Sequence, residues 1–98
     1  DGFRKKVEDM GNQHYPEVAK TRHLQGEVRL LVAVLPNGKV KDIKVLSSSG
    51  SGILDEAARR SVRLAEPFQP FTRDMRKNIE VLQVIRTWRF ADRLHNEG

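Results

Sequence analysis

The fold is decided by residues 26–46, GEVRLLVAVLPNGKVKDIKVL, which we interpret as a β-hairpin. In the first half, apolar residues recur at every second position, the spacing of a strand with one buried face. Residues 36–39, Pro-Asn-Gly-Lys, follow, and an Asn-Gly pair readily accepts the positive φ angles of a tight hairpin turn. A second strand is predicted over Val40–Leu46. The alternating residues of the first strand are Val28, Leu30, Val32 and Val34.

The composition fits one small domain. A chain of 98 residues, 38% of them apolar, can bury one core. The absence of cysteine excludes disulfides and thiolate metal sites, but it does not separate the cytoplasm from an oxidising compartment. No apolar run approaches the roughly 20 residues that cross a bilayer, and a start at Asp1 indicates a piece of a longer protein.

The charge is basic but dispersed. Eighteen Lys and Arg against 13 Asp and Glu give a net charge of +5, which favours anionic surfaces. Nucleic-acid binding is one hypothesis, supported by Arg59, Arg60 and Arg63. One tryptophan and one tyrosine do not make a base-stacking platform, so we expect a solvated basic surface and no nucleic-acid partner.

Two short helices are predicted before the hairpin. Phe3, Val7 and Met10 lie at i, i+4 and i+7, which indicates an amphipathic helix over residues 1–11 that ends at Gly11. Whether it frays or docks is left open. We interpret residues 1–11 as the end of a linker, residues 12–90 as the domain and residues 91–98 as a polar, flexible tail. The second helix follows Tyr15-Pro16 and closes at Gln25-Gly26.

A third helix and a bend follow the hairpin. Ser51 or Gly52 can cap the helix, which has one apolar stripe of small residues. Phe68 and Phe71 stand beside two prolines, and we expect them to fold back on the core; a proline-rich ligand is the alternative. Residues 72–77 add a helical turn. The stripe comprises Leu54, Ala57, Ala58, Ser61, Val62 and Ala65.

The last predicted strand runs from Ile79 to Phe90. One face carries Leu82, Val84, Trp88 and Phe90, and the other carries Val81, Ile85 and Thr87. Strands are typically about five or six residues long, so we expect this one to run beyond its hairpin partner and to leave backbone groups for another chain. Arg86 and Arg89 either guard that edge against aggregation or pair with acidic groups of an incoming peptide.

No catalytic or cofactor motif is present. His14, His23 and His95 are not spaced as metal ligands. The serine-rich loop at 47–52 lacks the Gly-x-Ser-x-Gly pattern of hydrolases and the Gly-Lys-Ser/Thr ending of phosphate loops. We expect these serines to form turns and a helix cap, and we expect neither an enzyme nor a cofactor.

Several short motifs, in this order, resemble the C-terminal domain of TonB-type energy transducers over residues 12–90. The resemblance implies an α+β fold, a small three-stranded antiparallel sheet with helices packed on one face. The motifs are Tyr15-Pro16 with Ala19, Gly26-x-Val28, Asn37-Gly38-x-Val40, Ser48-Ser49-Gly50, Leu54-Asp55-x-Ala57-Ala58 and Trp88-Arg89-Phe90.

The resemblance also implies a function. Such domains are periplasmic parts of inner-membrane-anchored proteins, driven by an ExbB/ExbD-type motor, and the isolated domain is a monomer or weak dimer. They capture the TonB box of outer-membrane receptors by strand addition and transmit force for uptake, including that of iron or siderophores. A TolA-like or wall-associated envelope scaffold is the alternative. The partner-binding residues implied here are Asn12, Gln13, His14, Ile85, Arg86, Thr87, Trp88 and Arg89.

Overall fold

A computed structural model describes residues 2–96, in which four helices and four strands form an α+β fold. The strands make one antiparallel sheet, in which the last strand is an addition to the three expected from the sequence. The elements are α1 (Gly2–Gln13), α2 (Glu17–Thr21), β1 (Gln25–Val34), β2 (Val40–Ser47), α3 (Gly52–Ala65), α4 (Arg73–Asn78), β3 (Leu82–Ala91) and β4 (Leu94–Asn96).

The predicted hairpin is confirmed as β1 and β2, and the strand order of the sheet is β2-β1-β3-β4. The turn differs in detail from a two-residue Asn-Gly turn, because Gly38 alone takes a positive φ, of 86°. The Gly38 N–H donates to the Leu35 carbonyl at 2.8 Å, so Pro36 and Asn37 form the turn and Gly38 follows it. This is the arrangement of a longer hairpin loop closed by a glycine in the left-handed region.

Helices cover one face of the sheet, as the resemblance implied. The side chains that β1 and β3 direct to that face are buried, with Val28, Leu30, Trp88 and Phe90 all at 0% exposure. The stripe predicted for α3 is confirmed, since all six of its residues are buried. The small residues of that stripe let α3 lie close to the strands and to α1.

Ser51 caps α3, as predicted, and the loop serines before it hold a carboxylate. The Ser51 side chain accepts a hydrogen bond from Leu54 N. Asp55 accepts hydrogen bonds from Ser48 Oγ and from the backbone N and Oγ of Ser49. Burial acts to raise the pKa of Asp55, but these bonds and the charge of Arg59 outweigh it and lower the pKa below its ordinary value.

The bend at residues 66–71 closes the core against the hairpin turn. Phe68 and Phe71 are 5% and 6% exposed, so they are core residues and not a proline-rich ligand. Their backbone N–H groups donate to Gly38 O at 2.8 Å and to Pro36 O at 2.9 Å. The helical turn expected after them is confirmed as α4, which Thr72 caps.

The N-terminal helix docks on the domain. Val7 is fully buried and α1 packs along α3. The prediction that Gly11 ends this helix is wrong, because α1 continues to Gln13. Gly11 is a close-approach residue instead: a Cβ there would clash with Leu94 Cδ2 and would lie 3.0 Å from Ser61 Oγ.

Three other expectations need correction. The second helix ends at Thr21, before His23 takes a φ of 51°. The last long strand begins at Leu82 and not at Ile79; it pairs with β1 along its whole length and so does not run beyond it. The tail is not loose over residues 94–96, where β4 pairs with β3 and Leu94 is 1% exposed. Residues 97 and 98 of the predicted tail lie outside the described residues.

Replacing Gly38 with alanine will destabilise the domain more than replacing Gly50. Both glycines have a positive φ, of 86° and 89°, which costs a side chain about 1–2 kcal/mol. Only at Gly38 would the new Cβ also clash with the carbonyl of Phe68, whereas at Gly50 no atom lies within 4 Å. Urea unfolding of the two variants measures both effects, and equal losses would contradict the close packing of the turn on the bend.

Candidate functional site

The candidate site is the outer side of β3 at Leu82–Ile85, here called the open edge. β1 pairs with β3 from Leu82 to Ala91, whereas β4 pairs only with Trp88–Phe90. Among residues 2–96, no strand therefore lies against the open edge. Unpaired strand edges are the places where a further chain can join a sheet.

The direction of the backbone groups along the open edge follows from the last residue of β3. Ala91 N donates to Arg93 O in the turn to β4, so the N–H of Ala91 points away from β1. Residues two apart in a strand point their backbone groups to the same side, and the β1–β3 register has no shift. Gln83 and Ile85 therefore direct their N–H and C=O groups outward at the open edge.

Arg86 covers part of this edge. Its guanidinium Nη1 donates to the carbonyl oxygen of Ile85 at 2.8 Å. Because this bond is exposed to water, it can be exchanged for another at little cost in free energy. Arg86 thus occupies a carbonyl that an added strand would use, and both roles expected for it, guarding the edge or pairing with acidic groups of a peptide, stay predictions.

Asn12 holds the outer side of β4. Its Oδ1 accepts from Leu94 N at 2.8 Å, and its Nδ2 donates to Leu94 O at 3.3 Å. One amide side chain thus makes both hydrogen bonds that a neighbouring strand would offer Leu94. Asn12 was expected to contact a partner; in this structure its side chain connects α1 to β4 by hydrogen bonds.

The remaining predicted site residues fall into different environments. Gln13 and His14 are exposed at the end of α1. Thr87 Oγ1 accepts from Arg29 Nη1 at 2.9 Å on the sheet face away from the helices. Arg89 is exposed on that same face, and its backbone is opposite His95 of β4. Of the five β3 residues predicted, Ile85 is therefore the one on the open edge itself, with Arg86 beside it.

Trp88 is a core residue. Its side chain has 0% exposure, and its ring centroid lies 6.2 Å from that of Phe3. The indole Nε1 is buried without a hydrogen-bond partner among residues 2–96. An incoming peptide cannot reach this side chain without unfolding. The backbone groups of Trp88, three positions from Ile85, point toward β1, so neither its side chain nor its backbone faces the outer side of β3.

Tyr15 is likewise a core residue. It is 8% exposed, and its ring lies 5.8 Å from that of Phe90. Burial raises the pKa of Tyr15, and the carboxylate of Asp92 raises it further. Asp92, with a φ of 65°, forms the turn between β3 and β4 and lies 3.5 Å from His23 Nδ1.

Sequence reasoning missed an apolar cleft beside the open edge. A cavity of about 880 Å³ opens between the start of α1, the bend and α4. The sequence signal for it was the presence of large apolar residues in both the bend and β3. Its apolar lining includes Phe3, Phe68, Phe71, Met75, Leu82 and Val84.

The part of the chain that the structure describes contains neither a metal-ligand cluster nor a membrane-spanning helix. No three His, Asp or Glu side chains come together as metal ligands. No helix combines the length and apolar character required to cross a bilayer.

The family comparison covers most of this architecture. The family described as "Gram-negative bacterial TonB protein C-terminal" matches residues 11–91. This chain belongs to the TonB C-terminal family. The match extends from Gly11, packed on Leu94, to the last residue of β3, and so includes the open edge.

Relatives and solved structures agree with the TonB assignment. The chain is 36% identical to Protein TonB of Helicobacter pylori J99 over 56 residues, 57% of this chain and 20% of the relative. It is 41% identical to Protein TonB of Neisseria meningitidis serogroup C over 49 residues, 50% of this chain and 18% of the relative. The chain therefore spans no more than about a fifth of the length of these curated relatives.

Two solution NMR structures of Helicobacter pylori TonB-CTD share the fold. One has a TM-score of 0.67 at 25% identity and covers 91% of this chain and 79% of that chain. The other has a TM-score of 0.68 at 24% identity, over 93% and 95% of the two chains.

Replacing Asn12 with alanine will loosen β4. The change removes both hydrogen bonds to Leu94, each worth about 0.5–1.5 kcal/mol. We expect amide exchange at Leu94 and Arg89 to accelerate about tenfold or more, with little change in the centre of β1. Gln13→Ala, the next residue of α1, is the matched control. Equal exchange rates in the two variants would contradict the fastening role of Asn12.

Proposed function

We propose that this domain is a non-enzymatic, periplasmic module of an energy transducer, which captures the TonB box of outer-membrane receptors by strand addition at the open edge. The observation that supports it is the backbone of Gln83 and Ile85, directed outward with no strand beside it within residues 2–96. Membership of the TonB C-terminal family supports the choice of partner.

The open edge suits capture better than the outer edge of β2. Register shifts interrupt the β1–β2 pairing at Arg29/Leu30 and at Ala33/Val34, and such irregularities turn an edge away from further pairing. The start of β2 is also engaged, because Val40 N donates to Glu66 Oε2 at 2.7 Å. The β1–β3 register is uninterrupted, so β3 presents a regular template.

Strand addition fits the mechanical task. Hydrogen bonds between backbones depend little on side chains, so one module can serve several receptors. Pull on the captured segment would pass through β3 into β1, which pairs with it from Gln25 to Val34. In the whole protein, an inner-membrane anchor and an ExbB/ExbD-type motor would supply the force. A TolA-like or wall-associated scaffold, engaging other proteins through the same edge, is the second candidate.

Gln83→Pro will abolish or strongly weaken binding of a synthetic TonB-box peptide while leaving the domain folded. Proline removes the outward N–H of Gln83, and a strand tolerates proline where that N–H faces solvent. Gln83→Ala keeps the N–H and is the matched control. Amide-resolved NMR titration at moderate salt, with a scrambled peptide beside the box peptide, measures the affinities.

The spectra separate the outcomes of this titration. Changes at Gln83, Ile85 and their neighbours, seen with the box peptide alone and lost in Gln83→Pro, are expected. Unchanged affinity in a folded Gln83→Pro would contradict capture at this edge. No response to any box peptide would favour the scaffold function.

A further inference from the structure

The cleft beside the open edge is continuous with the strand that forms it. Leu82 and Val84 alternate with Gln83 and Ile85, so their side chains point to the helix side of the sheet. Both side chains line the cleft, with Phe68, Phe71 and Met75 as further apolar walls. Two side chains that line the cleft therefore belong to the same four-residue segment in which Gln83 and Ile85 direct their backbone groups outward.

An added strand would lie about 4.8 Å from β3, with its side chains alternating between the two faces of the sheet. Residues directly opposite each other in neighbouring strands have Cβ atoms about 4.5–5.5 Å apart. Side chains of the added strand on the helix side would thus lie beside Leu82 and Val84, at the cleft. Two of them, at positions i and i+2, are about 6.7 Å apart.

The volume and charge of the cleft select the side chains. A cavity of about 880 Å³ is large enough for more than one side chain. Its cations are already engaged, since Lys5 lies 3.8 Å from Asp9 and Lys6 Nζ donates to Pro67 O at 2.6 Å. Lys6 also lies 5.6 Å from the centre of the Phe68 ring. The cleft therefore suits uncharged apolar side chains better than acidic ones.

We propose that the cleft is the specificity pocket of the open edge and takes two aliphatic side chains, at positions i and i+2 of the captured segment. This inference rests on the proposed strand capture. It adds discrimination between receptor segments by their side chains, which backbone hydrogen bonds alone do not provide. Receptors would be ranked by the aliphatic residues at two alternate positions, and acidic residues there would be rejected.

Alanine scanning of the peptide tests the pocket on the unmodified chain. Each residue of a TonB-box peptide is replaced in turn by alanine, and affinity is measured by titration while the Met75 methyl signal is followed. We expect losses of about tenfold at two aliphatic positions, two residues apart, because each truncation removes about two buried carbons. The Met75 methyl shift should shrink with the same two replacements.

A variant that narrows the cleft gives an independent test. Met75→Trp should lower affinity for the parent peptide about tenfold but leave affinity for the doubly alanine-substituted peptide unchanged. Asn78→Trp, on the same helix, exposed and outside the cleft, is the matched control and should bind both peptides normally.

The outcomes separate the pocket from the capture. Suppose that the Gln83 and Ile85 signals respond to the peptide, but no alanine replacement lowers its affinity and the Met75 methyl shift does not change. That result would overturn the pocket and leave strand capture standing. No response at Gln83 and Ile85 would overturn strand capture, and the pocket with it. If Met75→Trp fails to fold, the alanine scan on the unmodified chain still decides.

Discussion

The ten-residue pairing of β1 with β3 supports everything else in this structure. It joins two strands that are far apart in the chain and aligns Val28, Leu30, Trp88 and Phe90 as a continuous buried layer. The helices α1 and α3 then have one apolar surface to cover. Because the pairing is regular, it also fixes the direction of every backbone group on the outer side of β3.

The domain manages its edges differently at each end of the sheet. On β2, the register shifts and Glu66 make the edge irregular and partly occupied. On β4, Asn12 makes the hydrogen bonds that a further strand would make to Leu94. At the open edge, the exposed guanidinium of Arg86 donates to the carbonyl of Ile85, and no strand of residues 2–96 covers the segment. The least protected segment of the sheet is thus the one beside the apolar cleft, which is the arrangement that the proposed strand capture requires.

Local patterns in the sequence predicted the hairpin, the α3 stripe and the burial of Phe68 and Phe71, because periodicity and turn chemistry act over a few residues. β4 was not predicted because Leu94 is a single large apolar residue in a polar tail. The hydrogen bonds that hold β4 come from Asn12, 82 positions away in the chain. The partner-binding residues were predicted as far along β3 as Arg89 for the same reason. Without β4, nothing indicated that Trp88 and Arg89 were already paired.

Disulfide trapping tests the central claim, capture at the open edge, most directly, since the chain has no cysteine of its own. Gln83→Cys in the intact protein would be paired with single cysteines along the TonB box of a receptor in cells. Capture at this edge predicts cross-links at alternate positions of the box, because opposed residues lie within disulfide reach. Lys44→Cys on β2, the other outer strand, is the reference position. Cross-links at Lys44→Cys with none at Gln83→Cys would contradict the account.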